Sequence, residues 1–191
     1  MSTFINSIGL ANPGNPILQE DIAGFMKIAH GLDEREGRKL SFLYRKSGIN
    51  TRFSVLTDFE KANHEDFEFF PKSKNLEPFP STKSRMGVFT QEAPRLCEEA
   101  VLNCISGSQI SKDQITHLIL VSCTGMVAPG VELELMKRLG LEDTVERYCV
   151  HFMGCYAAFT GLKLADKIIR SDSQAKVLVV TVELCTLHFQ K

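Results

Sequence analysis

The chain has 191 residues, of which 43% are hydrophobic and 24% are charged, and this is ordinary for a globular protein with one sizeable core. A formal net charge of −1 excludes a general attraction to nucleic acid or to an anionic membrane, and no apolar run approaches the roughly 20 residues that span a bilayer. Because the N-terminus also lacks the charged and apolar regions of a secretory signal, we expect a cytoplasmic protein without membrane insertion.

The first half of the chain predicts two helices followed by a long irregular segment. Apolar residues recur at helical spacing over residues 16–30, and Gly31 is suited to end that helix. A second helix is predicted over residues 34–46, with its end at Gly48. Residues 57–85 mix Pro, Ser, Asn, Lys and Phe without a period. We expect a loop of this length to be either functional or packed over the core.

The second half of the chain alternates strands with helices. Thr90 can cap a helix that closes near Gly107, and the spacing of Ser111 and Gln114 predicts a capping-box turn. The strands are near-continuous apolar runs, as expected in a sheet that is covered on both faces. This order predicts an α/β protein with a central, substantially parallel sheet. The predicted strands cover residues 116–123, 146–152 and 175–183. One helix between them covers residues 131–139, and the other follows Cys155 and reaches about residue 170.

The cysteines lie inside apolar stretches rather than at loop spacings. No CxxC pair and no cluster of cysteine with histidine is present in the sequence, so we expect no metal site. In a cytoplasmic chain most of these thiols are expected to be small buried hydrophobes. The six positions are Cys97, Cys104, Cys123, Cys149, Cys155 and Cys185.

Cys155 is the candidate nucleophile, because a predicted strand runs into Gly154 and then directly into a helix. A thiol at that junction faces the free N–H groups and the positive end of the helix dipole, which favours the thiolate. Small residues at Ala157, Ala158 and Gly161 allow the helix to pack closely. A covalent nucleophile needs an aimed side chain on a sharp turn. The same short pattern also fits one more buried cysteine.

A cysteine nucleophile requires a proton acceptor and a group that stabilises the oxyanion. His151 is nearby in the sequence, but it lies within the preceding predicted strand. Strand residues alternate between the two faces of a sheet, so a histidine there is more typical of a sheet face than of a catalytic base. The residues themselves therefore predict no base.

A family resemblance spans essentially the whole chain, and it is carried by residues 5–13 (INSIGLANP), 46–52 (KSGINTR), 125–130 (GMVAPG), 153–165 (MGCYAAFTGLKLA) and 182–190 (VELCTLHFQ). These segments resemble the type III polyketide synthases, which are the chalcone synthase-like enzymes of the thiolase superfamily. The segments at residues 153–165 and 182–190 are more similar to bacterial members than to plant members.

The resemblance implies a thiolase-like fold with a mixed, largely parallel sheet, of which residues 1–191 would be the N-terminal half. The catalytic histidine and asparagine of that family come from a second half, and no residue of this sequence matches either. We therefore expect the chain alone to be inactive. The resemblance also implies a homodimer with the Pro129 loop near its interface. Ala128 stands where a methionine is common in that family.

The resemblance implies that Cys155 takes an acyl group from a coenzyme A thioester, for decarboxylative condensation with malonyl-coenzyme A to a polyketide. Products of this class include alkylpyrones, alkylresorcinols and chalcone-like compounds, and the sequence specifies neither the starter nor the number of extensions nor the cyclisation. No bound cofactor is expected. The residues that would line the acyl cavity are Glu183, Cys123, Thr124, Cys185 and His188.

The resemblance places coenzyme A phosphate contacts at Lys39 and Lys46, with Phe42 where an arginine is common. The acids interleaved with these cations also fit an exposed helix face. Likewise, Glu183 fits a strand-end carboxylate paired with the backbone, and His188 fits a packed histidine. Two other functions stay open, namely a β-ketoacyl synthase III-like fatty-acid condensing enzyme and a non-catalytic dimerising half-domain.

Overall fold

The computed structural model describes residues 2–191 and divides them into two units, each of which takes two stretches of the chain. The sheet unit consists of residues 2–11 and Met86–Leu184. The helical unit consists of Asn12–Arg85 and Cys185–Lys191. The candidate nucleophile belongs to the sheet unit.

The sheet unit is built on three parallel strands in the order β4-β3-β5. They are β3 (His117–Ser122), β4 (Glu146–His151) and β5 (Val177–Thr181). Every residue of the central strand β3 is buried, which explains its continuous apolar sequence. The predicted parallel sheet is therefore confirmed, and these paired strands are all parallel. Their carboxyl ends lie at one edge, where the candidate site is found.

Three helices accompany this sheet, namely α3 (Thr82–Ser106), α4 (Val131–Leu139) and α5 (Ala157–Ser171). Helix α5 lies directly on the sheet, because a Cβ atom added at Gly161 would be 3.0 Å from a Val121 methyl and 3.3 Å from a Val179 methyl. The predicted close packing of this helix is confirmed. Gly161 thereby allows α5 to seat against both β3 and β5.

The predicted start of α3 at Thr90 is wrong, because the helix begins at Thr82. The Thr90 hydroxyl donates instead to the Met86 carbonyl, 2.7 Å away, within the helix. The last residues of the predicted irregular segment are therefore helical. The predicted capping box at Ser111 and Gln114 is confirmed, and it opens a short 3-10 turn.

The helical unit begins with a two-residue antiparallel pair, β1 (Ile17–Leu18) with β2 (Thr51–Arg52), which the sequence did not predict. Helix α1 (Gln19–His30) ends at Gly31, whose φ of 59° is left-handed. Helix α2 (Glu34–Lys46) has the predicted bounds. Asp33 and Glu36 form a capping box at its start, in which the Glu36 N–H donates to the Asp33 carboxylate at 2.8 Å.

The core of the helical unit is an aromatic cluster around Phe25. The Phe25 ring centroid lies 4.4 Å from that of Phe59, 5.4 Å from those of Phe67 and Phe70, and 5.7 Å from that of Phe189. The irregular segment that begins at residue 57 is thus packed over this core, which is one of the two outcomes expected for it. Among the helices of residues 2–191, none is both long and apolar enough to cross a membrane.

Candidate active site

The candidate nucleophile lies in a tight turn, the elbow, between β4 and α5. Strand β4 ends at His151, and the elbow then comprises residues 152–156. Helix α5 begins at Ala157, so Cys155 lies in the turn before the helix, at the predicted junction between strand and helix. The Ala157 N–H donates to the Gly154 carbonyl at 3.0 Å, which closes the turn.

Two left-handed residues shape the elbow. Gly154 has a φ of 79°, which glycine adopts without a steric penalty. Phe152 has a φ of 56°, an uncommon conformation for a residue with a Cβ atom, which costs about 1 kcal/mol or more. The Phe152 N–H donates to the Ser122 carbonyl at 3.3 Å, so the first residue of the elbow is still hydrogen-bonded to the last residue of β3. The chain reverses here at the carboxyl edge of the sheet.

Cys155 is exposed, so the alternative of one more buried thiol is wrong for this residue. Its neighbours along the chain present apolar surface, with exposed fractions of 60% for Phe152, 56% for Tyr156 and 65% for Phe159. A sharp turn that displays a thiol among apolar side chains is a suitable setting for covalent acyl transfer.

The prediction that most of the cysteines are buried is wrong, although none of the six forms a disulfide bond. Cys97 is 2% exposed, and burial raises the pKa of its thiol to about 12. Cys104 and Cys123 are partly buried, whereas Cys149 and Cys185 are exposed like Cys155. Apolar neighbours in the sequence therefore do not show whether a cysteine side chain faces the core or the solvent.

Glu183 joins the ends of two strands beside the elbow. One carboxylate oxygen accepts from the Cys123 N–H at 2.8 Å, and the other accepts from the Thr124 hydroxyl at 2.7 Å. The Thr124 hydroxyl in turn accepts from the Leu184 N–H at 2.8 Å. The Glu183 carboxylate therefore pairs with a backbone N–H and a hydroxyl, which agrees with the alternative interpretation of Glu183 as a strand-end carboxylate. Both partners belong to predicted cavity residues.

The Cys123 thiol connects this network to the elbow. Its sulfur accepts from the Gly154 N–H at 3.2 Å and donates to the Gly154 carbonyl at 3.5 Å. This contact was not predicted from the sequence. The strand pattern contained a usable signal, because Ser122 pairs with His151 in the sheet register, so the residues that follow them emerge at the same edge.

Three of the predicted cavity residues, Cys123, Thr124 and Glu183, are thus linked to one another, and Cys123 also contacts Gly154. The remaining predicted cavity and coenzyme A residues lie in the helical unit. Cys185 and His188 are the first and last residues of a short 3-10 turn, and both are exposed. Lys39 and Lys46 are exposed residues of α2.

The α2 surface has the character of a solvated helix face. Arg38 pairs with Glu34 at 3.1 Å on an exposed surface, and the Lys46 ammonium lies 5.9 Å from the centroid of the exposed Phe42 ring. Among the sheet-unit residues, His151 is the last residue of β4, consistent with its expected place on the sheet.

The loop before α4 is held by a close glycine contact. A Cβ atom added at Gly125 would collide with the buried ring of Phe89 in α3. The Ala128–Pro129 peptide bond is cis, and both residues are exposed. Gly130 is the N-cap residue of α4.

In this α/β protein a cysteine stands on a glycine elbow at the carboxyl edge of a parallel sheet, a local geometry that can present a nucleophile. Residues 2–191 match the family model described as "Chalcone and stilbene synthases, N-terminal domain". The chain belongs to this family, as the sequence resemblance predicted.

Similar proteins include polyketide synthases. "Probable polyketide synthase 1" of Dictyostelium discoideum is 29% identical over 188 residues, which is 98% of this chain and 6% of that protein. The crystal structure of the C-terminal type III polyketide synthase domain of Steely1 from Dictyostelium is 28% identical and covers 98% of this chain, with a TM-score of 0.83. PKS-I from the brown alga Ectocarpus siliculosus is 28% identical over 95%, also with a TM-score of 0.83.

These solved structures confirm the predicted fold class. The chain spans 49% of the Steely1 domain and 48% of the algal enzyme. It therefore corresponds in length to about half of a complete type III polyketide synthase chain of this kind.

Proposed function

We propose that the protein containing this chain is a type III polyketide synthase in which Cys155 carries the acyl group. The observation that supports this most directly is the exposed Cys155 thiol on the glycine elbow, in a chain that belongs to the chalcone and stilbene synthase family. None of the other thiols occupies such a turn between a parallel strand and a helix.

In the proposed reaction, the Cys155 thiolate attacks the thioester carbonyl of an acyl-coenzyme A. The carbonyl–sulfur bond to coenzyme A breaks, and coenzyme A leaves as a thiolate that takes up a proton. Malonyl-coenzyme A then loses carbon dioxide, and its carbanion attacks the acyl–Cys155 thioester. This step forms a carbon–carbon bond, releases the Cys155 thiolate and leaves a β-ketoacyl-coenzyme A that is one two-carbon unit longer.

The proton acceptor and oxyanion donors of this reaction would be a histidine and an asparagine from the second half of the complete enzyme. Without them, residues 2–191 would provide the nucleophile and part of its surroundings but not a complete catalytic centre. The activity is therefore proposed for the complete protein, and the chain alone is expected to be inactive.

The family resemblance assigns the lining of the acyl cavity to Cys123, Thr124, Glu183, Cys185 and His188. Lys39 and Lys46 would contact coenzyme A phosphates, since lysine ammonium groups form charge-assisted hydrogen bonds with phosphate oxygens. The complete protein is also proposed to be a cytoplasmic homodimer, with the Pro129 loop near its interface.

Intact-mass spectrometry of the whole protein after incubation with an acyl-coenzyme A tests the nucleophile. Wild type is expected to gain one acyl group, which Cys155→Ala abolishes. Cys149→Ala is the matched control, because Cys149 is also an exposed free thiol of the sheet unit, and it should acylate as wild type does. An acyl adduct that persists in Cys155→Ala would refute the assignment, and addition of malonyl-coenzyme A distinguishes chain extension from simple acylation.

A further inference from the structure

We propose that Cys123 is a positioning residue whose thiol holds the elbow backbone at Gly154 and so fixes the direction of the Cys155 side chain. The inference rests on the proposed role of Cys155 as nucleophile. It adds to the proposed function because the family resemblance places Cys123 only among residues that line the acyl cavity.

The geometry places one side chain against both polar backbone groups of a single residue. The Gly154 N–H lies 3.2 Å from the Cys123 sulfur, and the Gly154 carbonyl oxygen lies 3.5 Å from it. Hydrogen bonds to sulfur are longer than those to oxygen, and a thiol is both a weak donor and a weak acceptor. One thiol therefore restrains the N–H and the carbonyl of the residue immediately before the nucleophile.

Packing alone does not hold Gly154. Its φ of 79° is left-handed, and a Cβ atom added there would meet no heavy atom within 4 Å. Because nothing packs on the Cβ side of this glycine, its orientation depends on hydrogen bonds of its backbone. The Gly154 carbonyl also accepts from the Ala157 N–H at 3.0 Å, which links the restrained residue to the start of α5. The Cys123 contact thus acts at a point that orients both the elbow and the helix.

The thiol is itself anchored, which a positioning role requires. The Cys123 N–H donates to Glu183 at 2.8 Å, and the second oxygen of Glu183 accepts from the Thr124 hydroxyl at 2.7 Å. The Leu184 N–H closes this network by donating to Thr124 at 2.8 Å. The segments that follow β3 and β5 are therefore tied together, and the thiol extends this tie to the elbow that follows β4.

Substitutions at residue 123 separate this positioning role from the lining of a cavity. Cys123→Ala removes both contacts with Gly154. Cys123→Ser keeps a donor and an acceptor, but the shorter C–O bond leaves them at the outer limit of hydrogen-bond length. Loss of one or two weak hydrogen bonds predicts an acyl-transfer step that is about five- to tenfold slower in the alanine variant, with unchanged KM. The serine variant should recover about half of that loss and remain slower than wild type.

The experiment uses the intact protein and three readouts. They are the acyl-transfer rate and KM, the iodoacetamide alkylation rate measured on the Cys155 peptide, and hydrogen exchange at the Gly154 amide. We expect faster Gly154 exchange and slower Cys155 alkylation in Cys123→Ala, with partial recovery in Cys123→Ser. Cys104→Ala is the matched control, because Cys104 is also a partly buried free thiol, and it should match wild type in all three readouts.

Wild-type Gly154 exchange and acyl-transfer rate in Cys123→Ala would overturn the proposal, as would a serine variant no better than alanine. If Cys123→Ala does not fold, Cys123→Ser decides the question. Elevated Gly154 exchange with a slower acyl step supports the role, and wild-type values for both contradict it. Absence of an acyl adduct on Cys155 in wild type would refute the proposed function instead, and the exchange and alkylation readouts would still report on positioning.

Discussion

Asp58 organises the irregular segment of the helical unit, and its replacement by asparagine should destabilise that unit. The Asp58 side chain is 0% exposed. One carboxylate oxygen accepts from the Glu68 N–H at 3.0 Å and the Phe69 N–H at 3.2 Å. The other accepts from the Phe69 N–H at 3.0 Å and the Phe70 N–H at 2.7 Å. A single carboxylate thus satisfies three consecutive backbone donors next to the aromatic cluster.

The amide of Asp58→Asn has the same shape but offers one oxygen and one NH2 group. The NH2 group would face one or two of these backbone N–H groups, so a donor would meet a donor in a buried site. A buried donor without a partner costs about 1–3 kcal/mol, and removal of the buried charge offsets part of this cost. We expect the free energy of unfolding to fall by about 2–3 kcal/mol.

Urea unfolding followed by far-UV circular dichroism measures this loss, and hydrogen exchange at the Phe70 amide localises it. Asp66→Asn is the matched control, because Asp66 is an exposed acid of the same segment, and it should stay within about 0.5 kcal/mol of wild type. If Asp58→Asn matches this control in stability and leaves Phe70 exchange unchanged, the carboxylate does not organise the segment.

Substitutions at three further positions test other parts of the structure. Because the pKa of buried Cys97 is raised from 9.0 to about 12, the unfolded chain loses this proton first, so stability should fall by about 1.4 kcal/mol per pH unit between pH 9 and about 12. That contribution to the slope should vanish in Cys97→Ala, and an identical slope would contradict it. Gly125→Ala should cost about 1–3 kcal/mol in urea unfolding, because its Cβ would collide with Phe89, and a neutral result would show that the ring can move. Asp33→Ala should cost about 1 kcal/mol through loss of the capping box, whereas Asp33→Ser should keep most of the stability.

Local sequence signals predicted the regular elements well where a cap and a period agreed. Helix α2 has the predicted bounds because a capping box at Asp33 starts an amphipathic run. Helix α4 likewise has the predicted bounds, because Gly140 ends it in the left-handed conformation. The strands were recognisable as apolar runs since β3 is buried along its whole length.

The elements that were predicted wrongly or not at all depend on tertiary contacts or are very short. The first two turns of α3 contain Ser84 and Gly87, which are weak helix formers, and Phe89 is fixed there by its contact with Gly125. The antiparallel pair of β1 and β2 has two residues in each strand, too few for any period.

Within the candidate site, the pattern of strand, glycine, cysteine and helix pointed to Cys155, and the resemblance supplied the cavity residues. The roles of all of them stay predictions. The thiol contact between Cys123 and Gly154 was not found, because it joins two elements far apart in sequence. Only a strand register could have revealed it.

The interleaved make-up of the two units affects how the chain can fold during synthesis. The sheet unit needs β5 beside β3, and the helical unit needs Phe189 against Phe25, so each core includes residues from late in the sequence. A ribosome adds about 5–20 residues per second. The early helices and the phenylalanines around Phe25 therefore remain for several seconds without the residues that are synthesised last. Neither core closes progressively from the N-terminus. We therefore expect nascent chains shorter than about residue 189 to expose apolar surface and to engage chaperones.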